Sequence, residues 1–289
     1  MKEVAIVADS PVTLVPEFIR EHDISIVPLH VIADGKDYLD TEMDMGWLYG
    51  RLGNKAALPS TACPSPGQYL QAFQECSQKA KNIICISMTA AFSKSYLSAF
   101  DAIELAKKQL PETRIELLDC RTAEAGEMML VIEIAKAVKE GLKFDDVVTL
   151  AQELIFKINT LQTFDTLFYR DKGGRIFKAK SWAKAESSTV FKAVVEVDAA
   201  AGGFTQPIAR AKTKTEILEK MVDIAQERIG NKNLRAAIVH GDVIEQAKDL
   251  KEMLDSRFQN AEIYINQALA VTAVHAGKGF ISFAFYGKD

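Results

Sequence analysis

Residues 82–109 read NIICISMTAAFSKSYLSAFDAIELAKKQ. Asn82–Ser87 is an apolar run of β character that closes on a hydroxyl. A Ser/Thr-bearing loop follows, and then Tyr96, Ala99, Ile103 and Ala106 recur at helical spacing, which predicts a helix over Ser95–Gln109. The same strand–loop–helix unit recurs upstream and downstream. Val4–Ala8 reads as a strand running into Asp9-Ser10, ahead of a short helix over Leu14–His22. Ile24–Ile32 reads as one strand and Asp44–Leu52 as a helix. Pro59-Ser60-Thr61 precedes a helix over Ser65–Ala80, in which Ser65 is the N-cap and Pro66 the first helical residue. Arg114–Leu118 is a strand running into Asp119-Cys120, followed by a long helix over Arg121–Lys139 with Gly141 as its C-cap. Alternation of this kind predicts a parallel sheet with helices on both faces, its hydroxyl-bearing tips gathered on the ligand edge.

Beyond that the rhythm changes. Phe144–Asn159 reads as a helix and is followed by an irregular stretch containing Lys172-Gly173-Gly174-Arg175. Strands are expected at Ala193–Val197, Phe204–Ile208, Arg235–Val239, Glu262–Asn266 and Ile281–Tyr286, with helices at Thr215–Ile229 and Val243–Ser256. The expected fold class is α/β with two domains. Residues 1–160 form a parallel sheet flanked by helices, and residues 161–289 an α+β unit with a mixed or antiparallel sheet.

Composition narrows the function. The 289 residues are 48% apolar and 26% charged, which supports a well-filled core and argues against disorder. A net charge of −4 with no basic tail argues against nucleic acid. No signal peptide is visible, no apolar run approaches a membrane span, and the four scattered cysteines lack any CxxC, so a reducing cytoplasm is the expected location. No histidine pair has metal spacing, and no cofactor is expected. GxxxxGK[ST], GxGxxG and GxSxG are all absent, so no nucleotide cradle or nucleophile elbow is expected.

Several residues carry two readings each. Asp9-Ser10 is either a turn cap or part of a ligand edge. Ser93 either caps the following helix or joins its free N–H groups in holding an anion, with Lys94 adding charge beside it. Ser65 is explained by capping, whereas Thr61 is left free to face a ligand. Gly173-Gly174-Arg175 reads as a turn, and His275 is one of only four histidines.

In chain order, Asp9-Ser10, Val27-Pro28-Leu29, Asp37-Tyr38-Leu39-Asp40, Ser60-Thr61, Ser93-Lys94-Ser95-Tyr96, Gly173-Gly174-Arg175-Ile176 and His275-Ala276-Gly277-Lys278-Gly279 resemble the DegV family of fatty-acid-binding proteins. The resemblance implies two α/β domains enclosing a long-chain fatty acid, palmitate- or oleate-like. Its carboxylate would rest on Thr61 and Ser93 of the first domain with His275 beside it, and the acyl-chain pocket and a partner-facing surface would belong to the second. Arg175, Lys94, Arg210 and Lys212 would lie near the head group or the partner, the partner being a fatty acid kinase that phosphorylates the carboxylate. The chain departs from the pattern at Ala62-Cys63, Lys94-Ser95, Cys120 and Lys278, and Lys212 falls where the family has its second arginine. These features make a non-enzymatic carrier the leading expectation. The alternative is a small-molecule phosphotransferase or hydrolase using His275 or His240.

Overall fold

The structure is a computed structural model that describes residues 2–186 and 191–288. In chain order the strands are β1 Lys2–Asp9, β2 Ile24–Val27, β3 His30–Ala33, β4 Lys36–Leu39, β5 Ser60–Ala62, β6 Ala80–Ser87 and β7 Arg114–Asp119. They continue with β8 Asn159–Thr163, β9 Lys192–Asp198, β10 Phe204–Ala211, β11 Asn233–His240, β12 Glu262–Gln267 and β13 Ile281–Lys288. Three sheets result. Strands β2-β1-β6-β7 form an all-parallel sheet. Strands β10-β9-β8-β13-β11-β12 form a mixed sheet, in which only β11 and β12 pair in parallel. Strands β4-β3-β5 form a small antiparallel sheet. The expected parallel sheet followed by a mixed sheet is therefore what the chain builds.

Several elements differ from the sequence reading: the stretch read as irregular holds two short helices, Phe168–Lys172 and Lys180–Glu186, β4 and β5 were not expected as strands, and three further elements have physical reasons. Ile24–Ile32 is two strands in two sheets, because Pro28 has no N–H to give a ladder and the Leu29 amide donates to the Ser10 hydroxyl at 2.9 Å. The long helix begins at Ala125 rather than Arg121, since Arg121 and Glu124 adopt φ of 52° and 49° and the Arg121 amide donates to the Asp119 carboxylate. The next helix stops at Lys157, and Asn159–Thr163 becomes a strand of the mixed sheet whose polar sequence, NTLQT, gives no apolar alternation.

Helix Ala125–Lys139 joins the layers. Twelve of its residues are buried, and its core cluster takes in Ile6, Ile84 and Leu118 from the parallel sheet together with Ala237, Val239 and Ala284 from the mixed sheet. A helix that is apolar on nearly every side is what a position between two sheets requires. Among the described residues, no helix is long and apolar enough to cross a membrane, and no His, Cys, Asp and Glu group is placed to hold a metal. All four cysteines are free.

Candidate functional site

The tips of β1, β6 and β7 meet at one sheet edge, where buried Asp9 and half-buried Asp119 tie down the loop that follows β6. Asp9 accepts the Ser87 hydroxyl at 3.0 Å and the Met88 amide at 3.2 Å, and Asp119 accepts the Ala90 amide at 3.4 Å. Burial raises the Asp9 carboxyl, and it raises neighbouring Glu127 further because Asp9 lies beside it. Ser10 donates to Asp40 at 2.8 Å while accepting the Leu29 amide, so the Asp9-Ser10 pair orders loops and does not face the cavity. Thr61 reaches the site differently from the tips. It lies within β5 of the small antiparallel sheet, opposite Val31.

Asp40 carries a pH prediction. It is 1% exposed, one of its oxygens has no hydrogen-bond partner, and burial pushes its carboxyl from the ordinary 3.8 up to about 7. A folded-state value above the unfolded one means the fold favours the protonated acid, so stability falls as pH rises from about 4 through 7. Asp40→Asn is expected to be more stable than the parent at pH 8 by on the order of 1–3 kcal/mol, with the gap closing toward pH 4. Urea denaturation at the two pH values checks this, and a gap independent of pH would contradict it.

A cavity of about 450 Å³ opens between β5, the loop after β6, the Gly173–Arg175 turn and helix Ala270–Ala276. Thr61, Ser93, Lys94, Arg175 and His275 all line it, over an apolar floor that includes Leu29, Met88 and Val271. The floor belongs to a buried apolar cluster that continues into Val31, Leu48, Leu52 and Val274. Cys63, unremarked in the sequence reading beyond its departure from the family pattern, also lines the cavity and contacts the Ser98 hydroxyl at 3.7 Å.

The polar wall has a defined hydrogen-bond direction. Thr61 Oγ1 lies 2.8 Å from His275 Nε2, and Arg175 Nη1 lies 3.4 Å from His275 Nδ1. A guanidinium only donates, so Nδ1 must accept and the proton of a neutral imidazole sits on Nε2. His275 then donates to Thr61 Oγ1, and the Thr61 hydroxyl proton is left for the cavity. Burial, followed by the nearby Arg175 and Arg170 charges, holds His275 well below its ordinary value, so it stays neutral. Gly173 makes room for this arrangement, since a Cβ there would lie 2.5 Å from His275 Nδ1.

Arg175 is a half-buried cation with neutral partners. Its Nε donates to the Phe92 carbonyl at 3.0 Å and its Nη1 to the Gly173 carbonyl, and burial draws its value down to about 10. Among the described residues no carboxylate pairs with it, and Nη2 carries no hydrogen bond. Ser93 shares a 2.8 Å contact with the Ser95 hydroxyl and accepts the Ser95 amide at 3.1 Å, so it serves the helix start while still bordering the cavity.

Other sequence candidates lie elsewhere. Arg210 stacks on Trp182 and Phe191, with centroid distances of 4.9 and 5.3 Å, and does not line the cavity. Lys212 is exposed at the start of helix Lys214–Ile229, where its amide donates to Glu216. His240 accepts the Val243 amide through Nδ1 at 3.3 Å, a turn-capping role. Behind the cavity wall lies a network that sequence reading missed. Arg170, 1% exposed, donates to Glu124 at 3.1 Å and to Gln162 at 2.9 Å, under the ring of Phe92 at 4.9 Å. Nothing in the spacing of Glu124, Gln162 and Arg170 links them, because they lie at a helix start, in β8 and in helix Phe168–Lys172 and meet only through tertiary packing.

The DegV family profile, described as one of uncharacterised proteins, matches residues 3–288. A DegV domain-containing protein of Clostridium perfringens is 27% identical over 291 residues, covering 99% of this chain and 98% of its own. A Thermus thermophilus structure described as fatty acid binding of a DegV family protein superposes with a TM-score of 0.90 at 24% identity, covering 99% of this chain and 100% of that one. The Streptococcus pneumoniae fatty acid kinase (Fak) B3 protein loaded with linoleic acid gives 0.87 at 21% identity, with both chains covered in full. At these identities the structural likeness speaks for the fold.

Proposed function

The chain belongs to the DegV family, and on that premise we propose that it is a carrier that holds a long-chain fatty acid and presents its carboxylate to a fatty acid kinase. The observation that carries the reading is the wall of donors. The Thr61 proton is aimed away from His275, and Arg175 has a free Nη2 and no acid partner among the described residues. Such a wall suits an anion, and the apolar floor beneath it suits an alkyl chain. The acids bound by the Thermus and Streptococcus relatives support the same class of ligand.

Energetics favour that division of labour. Burying about 15 methylenes at roughly 0.8 kcal/mol each gives on the order of 12 kcal/mol gross, before association costs. The carboxylate would cost several kcal/mol if buried without partners, and Thr61, Ser93 and Arg175 remove that cost. Neutral His275 contributes indirectly by fixing Thr61 as a donor. The first half of the chain, to about residue 160, supplies Thr61 and Ser93, while Arg175 and His275 come from the second. The head group lies beside exposed Lys94 at the cavity mouth, where a kinase would need access.

Purified protein, denatured and extracted, is expected to yield one long-chain acid per chain by mass spectrometry. Added palmitate at a hundred times its Kd is expected to stabilise the stripped protein by about 2.7 kcal/mol. No acyl chain in the extract and no response to palmitate or oleate would overturn the reading. With ATP, acyl phosphate trapped as a hydroxamate should form only when a fatty acid kinase is added. Formation by the protein alone would favour the phosphotransferase alternative.

A further inference from the structure

The loop that carries Ser93 is organised by Thr89. The Thr89 side chain is fully buried, its carbonyl accepts the Phe92 and Ser93 amides at 3.0 and 3.3 Å, and its Oγ1 accepts the Ala91 amide at 3.2 Å. Its own amide donates to Thr122 at 2.8 Å. Fixing Thr89 therefore fixes where Ser93 stands.

What packs on Thr89 comes from the other half of the chain. The turn between β9 and β10 is closed on Asp198, which accepts the Gly203 amide through its carbonyl at 2.8 Å and the Ala200 amide through its side chain at 2.9 Å. The turn brings Gly203 so close that a Cβ there would lie 2.0 Å from Thr89 Oγ1 and 3.0 Å from the Arg121 carbonyl oxygen. The next two residues reach the same wall. Phe204 meets Phe177 edge-on at 4.7 Å, and Phe177 stacks at 6.0 Å on Phe92, which lines the cavity. Thr205 donates its hydroxyl to the Arg175 carbonyl at 2.9 Å.

We infer that the tip of the β9–β10 hairpin, residues 198–205, is the positioning element of the head-group site, with Gly203 seated on Thr89 setting Ser93 and Thr205 setting Arg175. None of these hairpin residues lines the cavity, so their action is through the loop and the guanidinium. The inference rests on the carrier reading for its effect on lipid, although its effect on the loop is independent of any ligand.

Adjacent glycines supply the test. Gly202 and Gly203 have nearly the same left-handed φ, 78° and 77°, but a Cβ on Gly202 would meet only the Phe204 ring, at 3.6 Å. Alanine at either position meets a left-handed φ, and only Gly203→Ala forces the hairpin off Thr89. Two quantities are read in the full chain: the release rate of radiolabelled palmitate, and hydrogen exchange at the Phe92 and Ser93 amides. Gly203→Ala is expected to speed release about tenfold and raise exchange at both amides, while Gly202→Ala stays within about twofold of the parent. Equal effects of the two alanines, or no change with Gly203→Ala, would overturn the inference. If Gly203→Ala does not fold, the Phe204→Ala, Thr205→Val pair replaces it, with Phe204→Tyr expected to retain parental behaviour. If the parent chain holds no palmitate, the carrier reading fails and the exchange measurement alone decides the hairpin's role.

Discussion

Glu124→Ala is expected to lower stability by about 3–5 kcal/mol. Glu124 is 3% exposed and accepts from Arg170 at 3.1 Å and from Gln162 at 2.7 Å. Burial raises its carboxyl, and Arg170 is the main influence opposing that rise. Arg170 is walled in by Phe92, Phe164 and Phe280 at 4.9–5.8 Å and already has a buried Nε without a partner. Without Glu124 the guanidinium keeps its charge and loses its counter-ion in a site that water does not reach. Alanine brings no relief of backbone strain, because φ is 49° at this position for either side chain. Replacing both partners, Glu124→Leu with Arg170→Leu, should recover part of the loss, since no buried charge is then stranded although the buried Gln162 amide loses both partners. Chemical denaturation of the single and double variants at pH 7 measures both. A single-variant loss below about 1 kcal/mol, or a double variant no better than the single, would contradict this account.

Thr61→Val is expected to release bound acid about 10- to 100-fold faster, in line with about 1.5–3 kcal/mol for a hydrogen bond to a charged group, and to cost about 1–3 kcal/mol of stability because the His275 Nε2–H loses its acceptor. Valine has nearly the shape of threonine and suits strand β5. It removes the proton offered to the carboxylate and also the acceptor of the His275 Nε2–H. Thr61→Ser restores the hydroxyl and should restore slow release. Equal release rates for the valine and serine variants would show that the head group does not rest on this hydroxyl.

The legibility of the chain followed its physics. Helix Ser95–Gln109 has the bounds that its periodicity predicts, and Ser65 with Pro66 starts its helix through a capping box with Gln68, because caps and amphipathic faces are local signals. Strand β8 was hidden because it is polar yet lies between β9 and β13. Of the site, Thr61, Ser93, Lys94, Arg175 and His275 do share one cavity, although Thr61 and His275 are 214 residues apart and only the family resemblance joined them beforehand. Arg210 and Lys212 do not line that cavity, because β10 turns Arg210 onto Trp182 and Phe191 and leaves Lys212 at an exposed helix start. The Glu124–Arg170–Gln162 network and the seating of Gly203 on Thr89 were not legible at all. Both depend on contacts between residues far apart in the chain, which no local pattern encodes.

The central claim is that an acid's carboxylate sits on the Thr61 hydroxyl, and carbon-13 NMR of carboxyl-labelled palmitate bound to the protein tests it most directly. One sharp carboxyl resonance at a one-to-one ratio, shifted from free palmitate and lost or displaced in Thr61→Val, is the predicted result. A spectrum showing only the free or micellar carboxyl, or a bound resonance indifferent to Thr61→Val, would contradict the claim.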